Sequence, residues 1–192
     1  MMRSLKNRIA FAPSVFAGAR SGVAATEFAL IVPVLLTLFF GVVEGSDALA
    51  TSRRVSLAAN TLADLAAQES ELLMSEVDDL FDGVVQIVDT NGDPMTVRLV
   101  SVIADPDGDP VVDWSRDNSG GAPYAKGAAY DGLPDPSLLD VNASMIIAEI
   151  SYPYTSGLTH YLISSVTFEK SATRWPRRSL RVKLCTSPGV CG

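Results

Sequence analysis

One carboxylate, Glu27, stands inside a run of residues that is otherwise apolar from Val23 to Val43, apart from small polar breaks. From Phe28 to Val43 no residue is charged. An acid within a membrane-type helix costs about 2.5–3.5 kcal/mol on insertion scales. Two readings follow: Glu27 reaches the nearby interface as a plain snorkelling side chain, or it serves a function and meets a cation. Other residues invite chemistry by their spacing. Asp105, Asp107 and Asp109 alternate, as do Asp89, Asn91 and Asp93. A calcium loop of the EF-hand type needs Gly at its sixth position and Glu at its twelfth. Here the sixth residues are Pro94 and Pro110 and the twelfth are Val100 and Arg116, so the pattern fails and turn chemistry is expected. Cys185 and Cys191 flank a turn-forming Pro188-Gly189. A disulfide suits them in an oxidising compartment, with free thiols or a metal site as alternatives. His160 is the sole histidine, which nearly excludes histidine triads and multi-histidine metal sites. Lys170, Arg174, Arg177, Arg178, Arg181 and Lys183 form a basic island. It is either a solvated edge or a docking patch in which Arg174, Trp175, Arg177 and Arg178 meet an acidic neighbour. The sequence holds no phosphate loop, dinucleotide fingerprint or zinc pattern, so neither an enzyme nor a cofactor is expected.

The elements that position these residues follow from length and charge. The chain has 192 residues, enough for one ordinary domain with a short appendage. Hydrophobic residues make up 47% and charged residues 19%, and the mean hydropathy is +0.23, which excludes global disorder and points to a concentrated apolar segment. The net charge of -7 is unevenly spread. Residues 1–22 hold Arg3, Lys6, Arg8 and Arg20 and no acid, whereas residues 44–192 hold 11 basic and 21 acidic residues. So acidic a body argues against nucleic acid as a partner. About 20 helical residues cross a hydrocarbon core, and 23–43 supplies them. Four cations before the run and none within it put the N-terminus in the cytoplasm. Arg53 and Arg54, beyond the run, are the residues this rule least expects.

Gly22 followed by Glu27 and Phe28 resembles the processing site of type IV prepilins. The stretch from Gly22 to Leu36, with Pro33 inside it, is similar to the TadE-like proteins of the tight-adherence (Tad, or Flp) pilus, which are minor pilins or pseudopilins. Looser likenesses lie at 112–115, 149–154 and 174–179. The resemblance implies a prepilin peptidase as partner, cutting between Gly22 and Val23 on the cytoplasmic side. It also implies other pilins and the inner-membrane assembly platform as partners, with Glu27 pairing the new terminal amine of a neighbouring subunit. Opposite charges attract strongly in low dielectric and offset each other's desolvation, which would set the register of one helix on the next.

The expected fold is α+β: a cytoplasmic leader at 1–22, a transmembrane helix at 23–43, its extracytoplasmic continuation at 44–82 stopped by Gly83, and a β-rich periplasmic domain at 83–192. Val84–Val88, Thr96–Ile103 and Val111–Ser115 read as an antiparallel meander, its first turn at Asn91-Gly92. Residues 116–140 read as a long loop, Ser144–Tyr154 as a fourth strand ending at Pro153, 158–169 as strand or short helix, and Arg178–Leu184 as a last edge strand. Two rival organisations remain. One is an uncleaved single-pass TadG-like tether or scaffold of the same pilus system. The other is a soluble domain released after Ala50, where Ala48-Leu49-Ala50 fits a signal-peptidase site.

Overall fold

A computed structural model describes residues 20–88, 94–133, 135–140, 143–157 and 165–192. Helix α1 runs over Arg20–Ala66 and is followed by β1 (Glu71–Leu73) and α2 (Met74–Val88). Then come β2 (Thr96–Ala104), β3 (Pro110–Asp117), a 3₁₀ turn at Pro136–Leu138, β4 (Ser144–Tyr154), β5 (Val166–Arg174), β6 (Lys183–Ser187) and β7 (Val190–Cys191). The chain divides into two compact units, up to Val43 and from Glu44 onward. The class is α+β, a long N-terminal apolar helix followed by a β-rich domain with antiparallel sheets.

The outer helix departs from the sequence expectation. It does not run from 44 to 82: α1 ends at Ala66, where Gln68 and Glu69 bond back to Leu65 and Ala66 in tight i+3 turns. The chain then becomes β1, whose three residues pair in parallel with Lys183, Leu184 and Cys185. That partner lies far along the sequence, so no local pattern announces it. Nor does Gly83 stop a helix or Val84–Val88 form a strand. Both lie within α2, whose buried Val77, Phe81, Val84 and Val88 keep a 4-3-4 spacing. The side chain of Glu76 accepts a bond from the Leu73 amide at 2.8 Å and caps this helix. The hairpin expected at Asn91-Gly92 falls outside the described residues.

The main sheet has the order β3-β2-β4-β5, all antiparallel. The β2–β3 turn is closed by Asp105, whose carboxylate accepts from the Asp107 and Asp109 amides at 2.9 and 2.8 Å, with Gly108 at φ 94°. The aspartate alternation therefore serves a turn. Strand β4 runs through Pro153 to Tyr154. Pairing with β2 ends at Ser151, so Pro153 has a strand on one side only and its missing N–H is tolerated. One sheet face carries Val97, Leu99, Ile146, Ala148 and Ile150 and packs on Val55, Leu62 and Ala66 of α1 and on Phe81 of α2. The other carries Val100, Val102 and Ile147 and is covered by Tyr130, Leu133 and Leu139 from the 118–143 connection. Burial on both faces accounts for the consecutive apolar residues Met145–Ala148 of β4. A second sheet, β1-β6-β7, contains the strand expected at 178–184, shifted to Lys183–Ser187.

Candidate functional site

Gly22, Val23, Glu27 and Phe28 all lie in α1, so the Gly22–Val23 peptide is helical and faces outward. Val23 is 60% exposed and Phe28 67%. A Cβ placed on Gly22 would meet nothing within 4 Å. The Thr26 hydroxyl donates to the Val23 carbonyl at 2.7 Å, a back-bond that satisfies a polar group inside an apolar helix. Among the described residues Glu27 has no ion-pair partner. A carboxylate on an apolar helix, with a bare glycine one and a half turns before it, is thus presented to whatever lies outside the chain.

The rest of this unit is apolar on every side. Leu30, Leu35, Leu38, Phe39 and Val42 are exposed around the whole circumference, and none of the apolar window is buried. This helix, apolar all round and covered by none of the described residues, is long and apolar enough to cross a membrane. Pro33 sits inside it without ending it. Its missing N–H leaves the Ala29 carbonyl without the usual donor, while Thr37 donates to the Pro33 carbonyl at 2.8 Å.

Directly after the apolar run, α1 is tied to the end of β4. The Ser156 hydroxyl donates to Glu44 and the Tyr154 hydroxyl donates to Asp47 at 2.7 Å. Burial, then the bond to Asp47, pushes the Tyr154 phenol above the ordinary tyrosine range. Further along, the expected basic patch lies on the last turns of α1. Arg174 donates to Asn60 at 2.7 Å and pairs with Asp64, Arg177 pairs with Asp64, and Arg178 pairs with Glu69 at 3.6 Å. The Arg177 amide also donates to the Ala67 carbonyl at 2.8 Å, satisfying a group at the helix end. The three arginines therefore face acids of their own chain, and Trp175, 41% exposed, is the patch residue left turned outward without such a partner.

Cys185 and Cys191 form a disulfide that closes the β6–β7 turn, with Gly189 at φ 78°. Glu71 lies close to both sulfurs, but a disulfide offers no thiolate and the trio is not a metal site. Sequence reasoning missed the cluster around Glu149. This acid accepts from the Tyr124 hydroxyl at 2.9 Å and the Tyr130 hydroxyl at 2.5 Å, with Arg98 at 3.7 Å. The lone acid within the apolar Met145–Ile150 run was the available signal. Desolvation and the bond to Glu149 raise both phenols, so the cluster holds neutral hydroxyls and clamps the long connection onto the sheet.

Residues 22–64 match the family model described as TadE-like protein. The amino-terminal segment of this chain is TadE-like. The likeness is to that family over this segment alone. It begins at Gly22, covers the apolar helix and its first outer turns, and ends before β1, leaving the β-rich part outside. No curated protein and no solved structure matches the chain. The TadE-like segment thus contains Gly22, Val23, Glu27 and Phe28, whereas the disulfide and the arginine strap lie beyond it.

Proposed function

We propose that this TadE-like chain is a minor pilin of the tight-adherence pilus, made as a precursor and cut after Gly22 by a prepilin peptidase. Residues 23–43 then hold it in the bacterial inner membrane, with the leader in the cytoplasm and residues 44–192 in the periplasm, on a route into the pilus or its assembly machine. The observation that carries this reading is the start of the family match at Gly22, where an exposed Gly-x4-Glu-Phe stands on a helix with no covering partner. Glycine lowers the cost of opening one helical turn, which a peptidase requires before it can grip an extended backbone. Cleavage would give Val23 a free amine, and Glu27 of a neighbouring subunit would pair with it. Neither charge is tolerable alone in hydrocarbon, so the pair favours one axial register.

Substituting Glu27 tests this directly. Glu27→Ala and Glu27→Gln in the full chain, expressed with its pilus partners, should still be cut after Gly22 yet fail to support pilus assembly. Normal pili from both variants would contradict the role given to Glu27. The rival of an uncleaved tether predicts instead that both variants insert and function at least as well as the parent. Release after Ala50 is disfavoured by position. Thr51 is buried, and the cut would discard the Asp47–Tyr154 and Glu44–Ser156 contacts.

A further inference from the structure

Among the described residues no ion pair engages the outward face of α2. Asp79, Asp82, Gly83 and Gln86 stand at i, i+3, i+4 and i+7, which is one helix face, and all four are exposed. Asp78, on the neighbouring side, pairs with Arg116 at 2.8 Å; among the described residues Asp79 and Asp82 have no such partner. Gly83 lacks an internal reason as well. Its backbone is helical, a Cβ there would meet nothing within 4 Å, and glycine is the poorest helix former after proline. A bare backbone on an exposed helix face admits another helix at close range.

The complementary surface lies on α1. Leu49 and Leu57 flank Arg53 at i−4 and i+4, with Arg54 beside it, and the leucines are 62% and 58% exposed. Among the described residues neither arginine has an ion pair. Arg53 is ten residues past Val43, about 15 Å of helix. One headgroup layer is only about 5–7 Å deep, so lipid phosphate is a poor match for both arginines. We propose that the α2 face of one copy receives the Leu49–Leu57 face of α1 from a second copy. Arg53 and Arg54 then oppose Asp79 and Asp82, and Leu57 lies over Gly83. The two patches differ, so the contact is heterologous and does not close on itself: it builds a row of subunits. The inference rests on the pilin reading for its setting and names the partner and the contact.

Thiol cross-linking of the full chain in its membrane tests it, because both native cysteines are already bonded. A chain carrying Leu57→Cys and Gln86→Cys should give a ladder of oligomers on mild oxidation, whereas each single variant should give none. Absence of a ladder, dimers from a single variant, or links only to a different pilus protein would overturn the proposal. R53E with R54E should lower the ladder at least about tenfold, and adding D79R with D82R should restore it. Gly83→Ala separates contact from folding: it should raise the thermal midpoint and lower the ladder, and an unchanged ladder contradicts the packing over Gly83. A ladder from a chain that keeps its leader would leave this contact standing and sink the processing reading. Processing at Val23 without a ladder does the reverse.

Discussion

Glu149 illustrates what single residues contribute. Its carboxylate gathers two tyrosine hydroxyls and Arg98, and Tyr130 is nearly buried. Glu149→Ala strands those hydroxyls and should lower stability by about 1–3 kcal/mol, read as a fall in Tm. The phenols of Tyr124, Tyr130 and Tyr154 are all raised, by desolvation first and by their carboxylate partners second. The folded state therefore holds these protons more tightly than the unfolded state. Their contribution is complete below about pH 10 and declines as the pH rises above it. Tm measured from pH 8 to 12 should drop above about pH 10, less steeply in Tyr130→Phe, and equal slopes for parent and variant would contradict this assignment. Cys185 and Cys191 close a short loop, and replacing both with Ser should cost about 2 kcal/mol on the chain-entropy model. The cysteine pair could be read from its Pro-Gly spacer, but the Glu149 cluster could not, because its partners come from a distant connection.

Among the elements, the sequence was readable where a local pattern decides the outcome. The all-apolar run gives the first half of α1, the Asp105–Pro110 cluster gives the β2–β3 turn, and β4 occupies Ser144–Tyr154, the segment read as a strand. Reading failed where distant partners decide. A five-residue apolar run such as Val84–Val88 suits strand and helix alike, and only the face shared with Val77 and Phe81 reveals the helix. Phe81→Ala tests that packing and should cost about 3–5 kcal/mol, since the ring fills the space between α2, α1 and the sheet. A cost below about 1 kcal/mol would contradict the buried helical face. The break at Ala66 is set by β1 pairing with β6, and the arginine loop that returns to Asp64 and Glu69 reinforces it. The basic patch could be read from the sequence, but the acids of the helix end beside it could not.

For the molecule as a whole, the two units have different demands. The β-rich unit covers its own core: its sheet is packed on both faces, and its basic loop is paired with the end of α1. The apolar unit is left incomplete at its surface. Among the described residues its large side chains and Glu27 are uncovered, and its helix is long and apolar enough to cross a membrane. The TadE-like match over 22–64 spans this incomplete part and stops within the helix that joins it to the folded body. The central claim is therefore about how the incomplete part is made ready. Intact-mass and N-terminal peptide analysis of the full chain, expressed with its native prepilin peptidase, tests it most directly. The expected product is a mature chain that begins at Val23. A chain that keeps its start at Met1 or Met2 beside an active peptidase, or one that begins at Thr51, would contradict it.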